Sequence, residues 1–163
     1  YRHQRTLAAP AAVSGVGFIT GARVRIRFLP ASPDTGITFV RTDLPTHPTT
    51  PALCERVTGT ARRTTIGSAE TGVTLVEHVM AALSGLRIDN CLVEIDAPEP
   101  PGLDGSAWGF VSALHDAGVM LQPARRPLFG VTEPVVVSKD GATIGLHPPS
   151  VESGLGLRVS YIL

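Results

Sequence analysis

The sequence predicts an α+β fold: a two-layer domain of one sheet and two helices, followed by the opening strands of a second unit. Three observations lead there. Arg23-Val-Arg-Ile-Arg-Phe-Leu29 alternates strictly, so Val24, Ile26 and Phe28 would face a core while the arginines face solvent or a partner. Two later segments carry helical spacing, Thr74 to Gly85 and Ala107 to Ala117. Strand and turn signals then resume beyond about residue 126, and strands, paired helices and strands in that order suit an α+β layering.

The elements follow in order. Pro30 to Gly36 is turn chemistry, and Ile37-Thr-Phe-Val-Arg41 is a second strand. Residues 43–53, rich in Pro and Thr, read as loop, and 54–66 as strand and turn pieces. In the first helix Val76, Val79, Met80 and Leu83 share a face, with Gly85 closing it. Asn90 to Ile95 is a strand, Ala97 to Gly102 a Pro-rich loop, and Asp104-Gly105 a turn. Ser106 then caps a second helix whose face is Trp108, Phe110, Val111 and Leu114, and Gly118 ends it. Gln122-Pro-Ala-Arg-Arg-Pro127 reads as a linker. Beyond it, Val131–Val137 and Ala142–Leu146 flank Lys139-Asp140-Gly141, a hairpin signal. The division expected is therefore 1–122 for the first domain and 123–163 for the linker and truncated start of the second.

Composition narrows the function. At 43% hydrophobic and 17% charged, 163 residues can build a core and do not suit disorder. A net charge of zero gives no footprint for nucleic acid or an anionic membrane surface. No apolar run approaches the roughly 20 residues of a membrane-spanning helix, and no signal peptide is present. Cys54 and Cys91 have no metal or redox spacing, which suits a reduced, cytoplasmic chain and leaves one disulfide open. The chain starts at Tyr1 rather than Met and stops in the alternating run Arg158-Val-Ser-Tyr-Ile-Leu163, so it reads as a segment of a longer protein.

The chemistry concentrates at Glu77-His78. Thr74-x-x-Glu77 is a capping box on pattern alone, with the Thr hydroxyl and the Glu carboxylate each accepting an orphan N–H. The zinc-helix patterns H-E-x-x-H and H-x-x-E-H both fail, since Ala82 and Thr74 stand where a second histidine is required. A neutral imidazole beside a carboxylate nevertheless suits a metal ligand beside a general base. His3, His47, His115 and His147 have no partner at ligand spacing and read as surface or loop histidines. Asp104-Gly-Ser-Ala107 reads as turn and cap, Gly15-Val-Gly17 with Gly21 as a β-turn rather than a phosphate cradle, and Arg62-Arg63 as an exposed basic pair.

Several pieces recur together in one family. They are Gln4-Arg-Thr-Leu7 with Ser14-Gly-Val-Gly17, Arg27-Phe-Leu-Pro-Ala31 through Asp34 to Leu44, and Thr74 to Asn90. Val93-Glu-Ile95, Glu99-Pro-Pro-Gly-Leu-Asp-Gly-Ser-Ala107 and Leu157-Arg-Val-Ser-Tyr161 follow. In this order and spacing the chain resembles the UDP-3-O-acyl-N-acetylglucosamine deacetylases, zinc amidases of lipid A synthesis in Gram-negative bacteria, over about the first half of their length. The resemblance implies two related α+β domains with the active site between them, so the second unit is the start of a similar domain. It implies that His78 is a zinc ligand and Glu77 the general base. A His and an Asp spaced i,i+4 and a general-acid histidine would lie past Leu163. It further implies hydrolysis of the acetamide of a UDP-linked acylated amino sugar with release of acetate, a cytoplasmic protein, and a monomer when full length. The Thr60–Ile66 run aligns with a site-lining segment, which makes Arg63 and Thr64 substrate-binding candidates.

Two departures bear on substrate preference. Ile19 stands where the family often has the histidine of Gly-Leu-His-Ser-Gly, and Pro100-Pro-Gly-Leu103 replaces the usual Val-Pro-Ile before Asp-Gly-Ser. The competing readings are a divergent, non-catalytic module that binds a nucleotide sugar or a partner, and a structural domain in which Glu77 only caps.

Overall fold

The computed structural model describes residues 2–127, 129–149 and 159–162. They divide into two units, Tyr1–Arg126 and Pro127–Leu163. Strands of the first unit, in chain order, are β1 (His3–Leu7), β2 (Ala11–Val16), β3 (Arg23–Pro30), β4 (Ile37–Arg41), β5 (Thr49–Pro51), β6 (Val57–Gly59), β7 (Thr65–Ile66), β8 (Val73–Thr74), β9 (Cys91–Ile95) and β10 (Val119–Arg125). Its helices are α1 (Glu77–Gly85) and α2 (Trp108–Ala117). The mixed sheets and two helices make an α+β domain.

The main sheet runs β2-β3-β9-β4-β5, antiparallel except for the parallel β4–β9 pair. The alternation of β3 is realised: Val24, Ile26 and Phe28 are buried, and Arg23, Arg25 and Arg27 lie on the other face. There Arg27 meets Glu94 of β9 at 2.7 Å. Cys91, Val93 and Ile95 of β9 join the core on the helix side. Both helices cover that side. Val79, Ala82 and Leu83 come from α1, and Phe110 and Leu114 from α2. Phe110 stands edge-on to Phe28, with ring centroids 6.3 Å apart, an arrangement that suits the ring quadrupoles. Trp108, expected on the same face, is instead 69% exposed, because it sits at the first turn of α2, beyond the edge of the packed stripe.

Cys54 and Cys91 are both free. Burial pushes the Cys91 thiol up to about 12, which makes it an inert core residue.

Three expectations are corrected. Residues 43–53 are not all loop, since β5 pairs with β4 through Phe39–Thr50. Three residues, one of them proline, carry too little periodicity to be read as a strand. The linker read at 122–127 is mostly β10, which pairs with β1 in a two-stranded ribbon. The two compact units divide after Arg126, close to where strand signals resume in the sequence. The alternation that would reveal β10 is missing because Val119, Met120 and Leu121 are all exposed, and Pro123 is tolerated in such an edge strand. Finally, α1 ends at Gly85 as expected, but Gly85 is not the left-handed residue that closes it. The left-handed residue is Arg87 (φ 56°), with Ile88 N–H bonded to Leu83 O and Arg87 N–H to Ser84 O, the paired bonds of a Schellman motif.

The β1–β10 ribbon is joined to the main sheet by polar side chains. Asn90, 1% exposed, donates to Gln4 Oε1 (2.8 Å) and Gln122 Oε1 (2.7 Å), and its own Oδ1 accepts the Gly36 N–H at 2.9 Å. Gln122 in turn donates to Ala31 O at 2.8 Å. Next door, Asp89 takes a bidentate grip from Arg2 (2.6 and 2.8 Å) and a third bond from Arg126 at 2.5 Å. Burial pushes its carboxyl up, but these guanidinium bonds and the Arg5 N–H outweigh it, and the pKa lies below the ordinary value.

In the second unit, β11 (Val135–Lys139) and β12 (Ala142–Leu146) form an antiparallel hairpin. Asp140 (φ 52°) and Gly141 (φ 81°) make the two-residue turn that the sequence predicts. Of the run Arg158 to Leu163, only 159–162 are described. They form no strand, for want of a partner among the described residues, while Leu157, Arg158 and Leu163 lie outside the description.

Two outcomes follow for stability. Asn90→Ala leaves the Gln122 amide oxygen and the Gly36 N–H without their partner and lowers unfolding free energy by about 2–4 kcal/mol in urea titration. Arg87→Gly relieves a left-handed non-glycine residue at an exposed site and raises it by about 1 kcal/mol by the same measurement.

Candidate functional site

The candidate residues are presented by an abrupt change of backbone direction. Strand β8 ends at Thr74, and Leu75 takes a left-handed conformation (φ 56°) that no strand or helix continues. Val76 then opens α1, its carbonyl accepting the Met80 N–H at 2.9 Å. The helix therefore starts at Glu77, three residues later than its periodicity suggests. The expected capping box does not form. Thr74 is held in the small β6-β7-β8 sheet, its hydroxyl 2.9 Å from that of Thr65 and its N–H on Pro98 O. No side chain caps the first turn.

Glu77 and His78 are consequently the first two residues of the helix, and both are exposed. Glu77 Oε1 accepts the Thr64 N–H from the β6–β7 loop, which leaves Oε2 without a protein donor among the described residues. The structure thus brings Glu77, His78 and Thr64 together. Thr64 contributes its backbone, and the neighbouring Arg63 is exposed. His78 lines a pocket of about 210 Å³ with Phe18, Leu75, Pro100, Pro101 and Phe110. That is below the roughly 300–1,000 Å³ of pockets that hold a drug-sized ligand, so these residues enclose only part of a ligand of that size.

Does this arrangement fit a metal? One exposed imidazole on a pocket wall, next to a carboxylate, suits one ligand and one base. Among the described residues no three of His, Cys, Asp and Glu gather. A catalytic zinc normally takes three protein ligands, so this donor set is compatible with zinc and incomplete. His3, His47, His115 and His147 are all exposed, and none of them joins a metal-holding cluster among the described residues.

The remaining sequence candidates resolve as structure. Asp104 Oδ1 accepts the Ser106 N–H (2.9 Å) and hydroxyl (2.8 Å), bonds that hold its carboxyl below the ordinary pKa. Ser106 Oγ accepts the Trp108 N–H at 3.1 Å, although the cap position itself is Ala107. Gly15 lies in β2, and the turn runs from Gly17 to Ala22, whose backbone groups bond at 2.8 Å.

Glu99 escaped the sequence reading. Its side chain is fully buried, and its carboxylate accepts the N–H of Ile19 (3.0 Å to each oxygen) and of Thr20 (2.6 Å). Burial pushes its pKa up, yet these donors, with the Thr20 hydroxyl and the Phe18 N–H, outweigh burial and leave it below the ordinary value. The only signal available was Glu99 beside two prolines and a glycine-bearing turn 80 residues away, and no local pattern joins them.

Comparison with known proteins decides the family. A sequence profile described as UDP-3-O-acyl N-acetylglycosamine deacetylase matches residues 4–162. The chain belongs to this family. Similar relatives carry the name UDP-3-O-acyl-N-acetylglucosamine deacetylase. The one from Nostoc sp. is 42% identical over 90% of this chain and 53% of its own length. The one from Myxococcus xanthus is 44% identical over 90% and 46%, and that from Syntrophus aciditrophicus 38% over 97% and 50%. The chain spans about half the length of the curated deacetylases it matches. In this member of the deacetylase family, no helix among the described residues is long and apolar enough to cross a membrane.

Gly17 tests the turn at the pocket. A Cβ there would lie 2.5 Å from Glu99 Oε1 and 2.7 Å from Thr20 Oγ1. Gly17→Ala is therefore expected to cost about 1–3 kcal/mol, as a lowered urea midpoint.

Proposed function

We propose that this chain is the N-terminal part of a zinc-dependent N-deacetylase. It would hydrolyse the acetamide of UDP-3-O-acyl-N-acetylglucosamine in the cytoplasm, releasing acetate for lipid A biosynthesis in a Gram-negative cell. The observation that carries the reading is the use of Glu77: its carboxylate is not spent on capping and stands beside an exposed imidazole on the wall of a pocket. Family membership supplies the substrate class. The remaining ligands and the general-acid histidine are assigned to the half of the family's length outside this chain, and the full-length protein is taken as a monomer.

His78 would hold the zinc through one imidazole nitrogen. Bound zinc supplies Lewis-acid polarisation of the acetamide carbonyl and acidifies a water. As general base Glu77 would take a proton on Oε2, while the Thr64 N–H holds Oε1 in place, so the base would not have to be reoriented. Phe18, Leu75 and the two prolines provide apolar walls that limit water around the scissile bond. Arg63 and Thr64, on the loop that holds Glu77, would meet the substrate in this reading.

Two experiments test this. In the full-length protein, Glu77→Ala should abolish most turnover, by at least about a hundredfold, while shifting the melting temperature little, because the lost bond is exposed. Kept turnover with lowered stability would instead make Glu77 a structural residue. The 163-residue chain alone should neither take up zinc stoichiometrically in a calorimetric titration nor deacetylate the substrate; either result would sink the division of ligands proposed here. A full-length protein that binds the nucleotide sugar without releasing acetate would be the non-catalytic module.

A further inference from the structure

Glu99 is a buried carboxylate that the proposed chemistry does not use. No Lys or Arg pairs with it among the described residues. Its charge is met by the backbone of the β2–β3 turn, through the N–H groups of Ile19 and Thr20. Two further contacts stitch the same turn to the segment after Glu99: the Gly17–Pro101 bridge, and Gly102 N–H on Val16 O at 2.8 Å. The absence of a Cβ at Gly17 provides the room that the carboxylate occupies. Both stitched segments end at the His78 pocket: Phe18, 80% exposed, comes from the turn, and Pro100 and Pro101 come from the segment after Glu99.

We propose that Glu99 is a positioning residue for substrate binding. By holding the N–H groups of the 18–20 turn, it fixes Phe18 as an apolar wall of the pocket that His78 also lines, and it acts on the substrate only through that wall. A carboxylate suits this role because it accepts bonds on both oxygens and has no donor to repel the convergent N–H groups, as an amide would. The turn has no other side-chain acceptor for the Ile19 N–H among the described residues. This inference rests on the proposed reading of the His78 pocket as the reaction site. It adds that an apolar portion of the substrate near the acetamide packs on Phe18.

The test uses the full-length, zinc-loaded protein. Glu99→Gln places an amide NH2 against the turn. Hydrogen exchange at the Ile19 and Thr20 amides should accelerate about tenfold or more while the β9 amides keep their protection. KM should rise about fivefold or more with kcat and zinc content changed much less. Phe18→Ala should reproduce the KM rise without accelerating exchange at Thr20, and Glu99→Asp, which keeps the charge, should recover part of both effects. Unchanged KM in Glu99→Gln despite faster turn exchange overturns the inference, as does a loss of β9 protection that makes the effect global. A wild-type protein that releases no acetate overturns the proposed function and this inference with it; an active wild type beside an unaffected Glu99→Gln overturns this inference alone.

Discussion

One buried amide sets the frame of the first unit. Asn90 is enclosed, and its donors and acceptor can all be satisfied only when Gln4 of β1, Gln122 of β10 and the Gly36 N–H arrive together. Those partners are up to 86 residues away in sequence. An apolar contact tolerates sliding, whereas a set of convergent hydrogen bonds does not. The Asn90 amide therefore fixes where the β1–β10 ribbon meets the sheet, and with it the register of β9, which begins at the next residue. Asp89 reinforces the same junction from the surface with the guanidinium groups of Arg2 and Arg126.

From that junction the placement of the site follows mechanically. Strand β9, held between β3 and β4, runs through Ile95 into the segment that carries Glu99 and the pocket prolines. The β6-β7-β8 sheet, tied to Pro98 through Thr74, stops α1 from extending backwards and so decides which residues occupy its exposed first turn. The left-handed Leu75 and the uncapped helix start are locally unfavourable. They are tolerated because Val76, Val79 and Leu83 of the same segment are buried in the core. A better-capped helix would have used the Glu77 carboxylate for its own end.

The family signal and the physical reading meet at different levels. Membership rests on sequence similarity across nearly the whole chain. The geometry contributes an orientation for Glu77, from the Thr64 loop, and a wall for the pocket, from segments in which the sequence departs from the pattern it resembles. Ile19 is one such departure. Its backbone N–H is bound by Glu99 whatever side chain it carries, so the turn can keep its shape while the side chain at that position changes.

The sequence by itself determined the elements that rest on short-range signals: β3 by alternation, β4 and β9 as strands between turn and loop segments, both helices by apolar spacing, and the Asp140-Gly141 hairpin by turn chemistry. It also singled out Glu77 and His78. Periodicity carries those signals because each residue in them answers to neighbours two to four positions away. Only the tertiary structure decided the start of α1, the strand at 119–125, the role of Glu99 and the partner of the Glu77 carboxylate. In each of these cases the deciding hydrogen bond comes from a distant segment: Pro98 for Thr74, Arg5 and its neighbours for β10, Ile19 and Thr20 for Glu99, and Thr64 for Glu77. Local propensity favoured a capping box at Thr74, and a backbone N–H from another strand's loop competed successfully for the same carboxylate.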